Sequence, residues 1–218
     1  MSFMTFYQTK SLFRGAETWT KPNGMVGVSL RLYEHFVIRG PALGYEVFTH
    51  KDSPHKLDFG IRYIDDGEPL IRFSDSEESF RNKRKGALES SASYRYKFGF
   101  KNLFYVGGSL SRDWIAYKSQ YYELNVGAPV IIFTKLNLSY GFGSLKTNTY
   151  NYGEGAKSGS GFFKYGLSHV MPYVPWEGII IWSWDRSKVI SSENRNANYV
   201  RGDGDYTQFS VRLIWNFS

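Results

Sequence analysis

Apolar and polar residues alternate along most of this chain with a period of two. In Ser91–Phe98 the even positions are Ala92, Tyr94, Tyr96 and Phe98, and the odd ones are Ser91, Ser93, Arg95 and Lys97. Lys135–Phe142 splits in the same way, with Leu136, Leu138, Tyr140 and Phe142 against Lys135, Asn137, Ser139 and Gly141. So does the last stretch, where Thr207, Phe209, Val211, Leu213, Trp215 and Phe217 alternate with Tyr206, Gln208, Ser210, Arg212, Ile214 and Asn216. A helix needs apolar residues three and four apart; alternation belongs to strands with unlike faces. The pattern predicts about ten strands, near 25–33, 36–48, 57–64, 90–99, 103–112, 119–126, 130–142, 161–169, 178–186 and 205–217.

The connections carry a second pattern. Phe100-Lys101-Asn102, Gly127-Ala128-Pro129 and Met171–Glu177 are short, whereas 65–89, 113–118, 143–160 and 187–204 are longer and polar. Long and short alternate, as surface loops and periplasmic turns do in outer-membrane barrels. On this reading the last strand runs inward, Phe217 lies on the periplasmic side, and the strand beginning at Met25 starts in the periplasm. The Ser/Gly-rich stretch 153–161 reads as a flexible loop, and no helix is expected outside the loops and the N-terminal segment.

Composition fits this picture. Aromatic residues make up 18% of the 218 residues, with 22 Gly, yet mean hydropathy is −0.40. Alternation between lipid and lumen keeps the average low while aromatics run high. Apolar runs such as Val130-Ile131-Ile132-Phe133 are far short of the roughly 18 residues a membrane-crossing helix needs. There is no Cys, which excludes a disulfide scaffold, a thiol nucleophile and a thiolate metal site.

The expected fold is all-β: an antiparallel transmembrane β-barrel of about ten strands with short periplasmic turns and longer extracellular loops. It becomes twelve if the segment from Phe3 and a piece near Leu70–Phe73 join it. Residues 1–23 form an N-terminal segment (a plug, a periplasmic arm or an extra strand), and 24–218 form the barrel. The expected location is the bacterial outer membrane. Met1-Ser2-Phe3-Met4 has no basic start and no apolar core of an export signal, so the signal is taken to have been removed.

The polar registers direct Arg31, Arg62, Arg95, Lys97, Lys135, Lys164 and Arg212 into the lumen with Glu46, Asp58, Glu123 and Asp185. Two readings stay open. One is a packed, salt-bridged interior; the other is an anion-preferring pore, since rings of Arg or Lys select anions. The formal charge of +7 suits solvated loops or an anionic partner such as lipopolysaccharide. Trp176, Trp182, Trp184 and Trp215 suit interfacial girdles rather than stacking platforms. Arg81, Lys83, Arg84 and Lys85, beside the acidic 75–78, form a candidate loop contact. Outer-membrane lipid and lipopolysaccharide are expected partners, and nucleic acid is not.

No catalytic, cofactor or metal residue is assigned. His50 and His55 share a turn with Asp52, but Lys51 and Pro54 give it the character of an ordinary polar turn. Lipid A deacylases place a His and a Ser close on one strand face, whereas Ser168 and His169 are adjacent and face opposite sides. Asp185-Arg186 and Asp65-Asp66 do not reproduce the acidic pairs of omptin-type proteases, and no Ser-His-Asn set of a phospholipase barrel can be placed. The glycines at 153, 155 and 159 lack the Lys and the strand-to-helix setting of a phosphate loop.

The segment Arg39-Gly40-Pro41-Ala42-Leu43-Gly44-Tyr45-Glu46-Val47-Phe48, followed by Leu57-Asp58-Phe59-Gly60-Ile61-Arg62-Tyr63, resembles the MipA/OmpV family of outer-membrane barrels. Ser160-Gly161-Phe162-Phe163-Lys164-Tyr165 and the aromatic final strand sit at compatible places. The resemblance covers residues 24–218. It implies a non-enzymatic scaffold for peptidoglycan-processing enzymes, a lytic transglycosylase and a penicillin-binding synthase, with a role in envelope maintenance. The alternative functions are a small anion-preferring pore and a lipid-A-modifying barrel enzyme. A soluble lipocalin-like barrel would instead hide its apolar register inside.

Overall fold

The computed structural model describes residues 2–9, 11–14, 16–19, 22–50, 52–64, 71–72, 86–173, 178–200 and 202–216. The alternating stretches form strands. They are β1 (Ser2–Gln8), β2 (Asn23–Leu32), β3 (Phe36–Arg39), β4 (Ala42–Glu46), β5 (His55–Ile64) and β6 (Ala87–Phe98). The second half adds β7 (Phe104–Asp113), β8 (Gln120–Ile131), β9 (Thr134–Gly143), β10 (Gly159–Tyr173), β11 (Gly178–Val189) and β12 (Asp205–Asn216). Each strand pairs antiparallel with the next, and β12 pairs with β1 through Asn216↔Ser2 to Ser210↔Gln8. The result is a closed twelve-stranded barrel, and closure leaves no unpaired edge.

All ten expected strands are present, and two differences raise the number to twelve. Ser2–Gln8 is a wall strand between β2 and β12. The stretch 36–48 is two strands, because Gly40 turns at φ +53° and Pro41 has no N–H for the ladder. This extra turn overturns the expected direction of β2: it starts at the long-loop end, where Asn23 pairs with Gln8. Of the piece near Leu70–Phe73, Ile71 and Arg72 are the described residues, and they form a short bridge to Gly24 and Asn23.

Gly127-Ala128-Pro129 is not a turn. Strand β8 runs through it with a register shift between Pro129 and Ile131, and the reversal falls at Ile132-Phe133, where Phe133 has φ +64°. Within the long loops lie α1 (Leu145–Tyr152), whose N-cap Ser144 accepts from the Thr147 N–H, and α2 (Ser192–Arg195), capped by Ser191.

The apolar register faces outward: Leu43, Phe59, Ile61, Leu124 and Val126 are exposed by 43–55%. A water-soluble barrel does not present such a band, whereas a lipid-facing one requires it. None of the described helices is long and apolar enough to cross a membrane. The buried core lies inside the barrel at its long-loop end, around Tyr117, Tyr121, Tyr152, Phe162, Val189 and Tyr206.

Candidate functional site: the barrel lumen

Strand register decides which side chains meet inside. Arg31, Arg62, Arg95, Lys97, Lys135, Lys164, Arg212, Glu46, Asp58, Glu123 and Asp185 all occupy the register opposite the exposed apolar residues. Inside, the Arg95 guanidinium lies 4.6 Å from the Tyr105 ring centre, and that of Arg212 lies 5.3 Å from Phe6.

The same register holds charges that sequence reasoning missed. Arg39 pairs with Ser29 and Ala42 on the inner face; a continuous 36–48 strand gives it the wrong parity. Lys56 and Glu89 lie just before the predicted starts of their strands. Asp113 was assigned to a loop but ends β7.

The lumen wall is electrostatically lopsided. On β2–β5, Glu46 accepts Arg31 at 2.7 Å and Arg39 at 3.3 Å, with Lys56 at 3.9 Å; Lys56 also reaches Asp58 at 3.6 Å. These cations are one-third or more exposed, so each pair contributes little stability, about 0–1 kcal/mol. A cavity of about 210 Å³ lies against this wall, bordered by Arg39, Glu46, Asp58 and Arg62. On the remaining wall, Arg95, Lys97, Lys135, Lys164 and Arg212 make no salt bridge among the described residues. Only Glu123 and Asp185 of the predicted acids lie there. Asp185 folds against Gly166, where a Cβ would come within 2.1 Å of its carboxylate.

The lumen changes character along its axis. Toward the short-turn end its cations are half-buried or exposed, as at Arg31, Arg95, Lys97, Lys135 and Arg212, although Val37 and Glu46 are buried there. At the long-loop end the inward residues Ala87, Glu89, Asp113, Tyr121, Phe162, Ser187, Val189 and Tyr206 are buried. There Arg14, between β1 and β2 in the chain, donates to Glu89 at 2.6 Å and to the Tyr117 hydroxyl at 2.8 Å. Its guanidinium lies 4.0 Å from the Tyr121 ring centre. Glu89 also accepts from Tyr117, and from Arg62 Nη2 at 2.9 Å. Burial opposes the Arg14 charge, but Glu89 and the two tyrosines outweigh it and raise its pKa. Burial likewise pushes the Tyr117 phenol well above its usual value.

The other sequence candidates do not converge. Ser168 accepts from Asn137 inside at 3.0 Å, whereas His169 is on the outer face, bonded to Thr134 at 2.7 Å and beside Trp182. His55 meets Tyr94 on the outer face, while the His50 ring accepts from the Asp52 N–H. Among the described residues no three His, Asp or Glu gather as a metal set. Trp182 and Trp184 occupy the outward register of β11, and Trp215 packs on Phe3. Trp176 and the loop residues Arg81, Lys83, Arg84 and Lys85 lie outside the described residues.

Compared by sequence, the chain matches no family model and no curated protein, so nothing there supports the MipA/OmpV resemblance. Compared by structure, it is similar to a KdgM porin (7% identity, TM-score 0.53, covering 100% of both chains). It is also similar to a NanC porin (9%, 0.54, 99% of both chains) and to a KdgM porin in complex with disordered oligogalacturonate (8%, 0.51, 100% of both chains). At these identities the likeness is one of architecture: the chain has the fold of these porins, a closed twelve-stranded antiparallel barrel.

Proposed function

We propose that this protein is a small anion-preferring pore of the bacterial outer membrane, with its long loops outside and both ends of the described wall in the periplasm. The observation that carries this reading is the run of inward cations that make no salt bridge among the described residues, Arg95, Lys97, Lys135, Lys164 and Arg212, on half-buried or exposed lumen wall. Fixed cations in a narrow aqueous path raise the local concentration of anions and exclude other cations. The porin fold supports a conducting role, and one similar barrel was solved with an acidic oligosaccharide. Small acidic solutes are therefore the expected cargo. The scaffold expectation rests on the sequence resemblance alone, and no site among the described residues favours it or a lipid-A-modifying enzyme.

The test is solute flux into proteoliposomes. Acidic sugars should enter faster than neutral or basic ones of equal size, and a combined Arg95→Gln, Lys97→Gln and Arg212→Gln variant should lose the preference while keeping the barrel folded. Equal entry of all three classes would refute the proposal.

A further inference from the structure

A pore needs a path through both ends, and this lumen has a dry end. The Glu89 side chain is 0% exposed and that of Arg14 is 4% exposed, although both belong to the inside of a barrel whose other half carries exposed cations. Three separate loops meet at Arg14. Its guanidinium bonds Glu89 on the wall and Tyr117 from the β7–β8 loop, and it stacks on Tyr121. Its carbonyl accepts from the Tyr152 hydroxyl of α1 at 2.9 Å. Tyr117 is held in turn by Asp113, whose carboxylate accepts the backbone N–H groups of Tyr117 at 2.7 Å and Lys118 at 3.0 Å. Asn148 of α1 and Asn194 of α2 tie the next layer: Asn148 donates to the Lys157 carbonyl at 2.6 Å and Asn194 to the Ser160 carbonyl at 2.9 Å.

We infer that Arg14 is the bolt of a closed gate: its buried contacts with Glu89, Tyr117, Tyr121 and Tyr152 shut the long-loop end of the lumen, and withdrawing it opens the path. This deepens the pore reading and rests on it. The chemistry suits a gate better than a permanent seal. A permanent seal is most cheaply made of apolar side chains, since replacing a buried ion pair by packed hydrophobic groups is often neutral or stabilising. A buried pair can be exchanged for hydration once Arg14 withdraws, and Glu89 is not left bare, because Arg62, 44% exposed, stays bound to it. An arriving anion competes with Glu89 for the same guanidinium, so the cargo class of the pore matches the ligand that would release the bolt.

The native chain has no Cys, so a single reporter can be placed without background. Ser111 points inward beneath the gate, is buried, and makes none of the contacts named above. In the full chain in liposomes, Ser111→Cys should react slowly with an anionic methanethiosulfonate added from the long-loop side. With Arg14→Ala added it should react at least about tenfold faster. Arg14→Lys, which keeps a cation without the fork geometry, should fall between. Tyr117→Phe provides a milder second route to the same acceleration, and heat-modifiability on gels confirms folding of each variant. In bilayers the same Arg14→Ala change should raise the fraction of time spent conducting. Equal, fast labelling in native and Arg14→Ala backgrounds would overturn the gate, and equal, slow labelling in both would overturn Arg14 as its bolt. Accelerated labelling with no conductance in any variant would keep the gate and overturn the pore.

Discussion

Glu89→Gln is the most revealing single change in this molecule. It keeps the shape of the side chain and removes its charge. The Arg14 guanidinium, 4% exposed, would then sit in a dry cluster against neutral partners. Breaking a buried ion pair from one side costs about 3–5 kcal/mol, because the surviving charge is uncompensated. The opposite change, Arg14→Met, should cost less. Glu89 keeps its bonds from Arg62 at 2.9 and 3.2 Å and from Tyr117, and Arg62 remains partly in water, so the loss is that of a charged hydrogen bond, about 1–3 kcal/mol. The double variant removes both charges together and should be at least about 1 kcal/mol more stable than the sum of the single losses implies. Urea unfolding from bilayers, followed by tryptophan fluorescence, measures all three. A cost below about 1 kcal/mol for Glu89→Gln, or strict additivity in the cycle, would refute the claim that these two charges are mutually dependent and dry.

Three further outcomes follow from local geometry. Gly107→Ala should cost about 1–3 kcal/mol by overpacking, since its Cβ would meet the Tyr94 carbonyl at 2.7 Å and Asn125 at 2.9 Å; the same unfolding assay checks it. Asp113→Ala should free the β7–β8 loop, seen as faster hydrogen exchange at the Tyr117 and Lys118 amides, at a cost of about 1–3 kcal/mol. Its own backbone N–H, with the Ser192 and Ser191 hydroxyls and Lys157, holds the Glu193 carboxyl at the start of α2 down to about 2. A depressed carboxylate contributes its stability above the usual range near 4.5 and loses it as pH falls through the folded value. Carboxyl NMR should therefore show a midpoint near 2, and one near 4.5 would contradict the capping geometry.

The wall of the lumen was legible because alternation is a local property. Arg95 and Lys97 are read as inward from their own neighbours, and the strand pairs place them there. Parity survives only until an unseen reversal. Reading Gly40-Pro41 as part of one strand gives Arg39 the wrong face and leaves Glu46, beyond the turn, on the right one. Strand starts read two and three residues late hid Lys56 and Glu89. Helix α1 was invisible for a different reason. Its sequence, Leu145-Lys146-Thr147-Asn148-Thr149-Tyr150-Asn151-Tyr152, has no apolar stripe of helical period; a Ser144 cap and tertiary contacts hold it. Arg14 carried no local signal. It meets Glu89 across 75 residues and Tyr152 across 138, and only barrel closure brings them together. What the alternating pattern cannot encode is which loops fold back into the lumen, and that decides whether the barrel is open.

The most direct measurement is the reversal potential of single open events in a planar bilayer under a potassium chloride gradient. An anion-preferring pore lined by Arg95, Lys97, Lys135, Lys164 and Arg212 gives a potential of the sign set by chloride, and it moves toward zero when these residues are neutralised in turn. A potential of the sign set by potassium, or one indifferent to all five substitutions, would contradict the account.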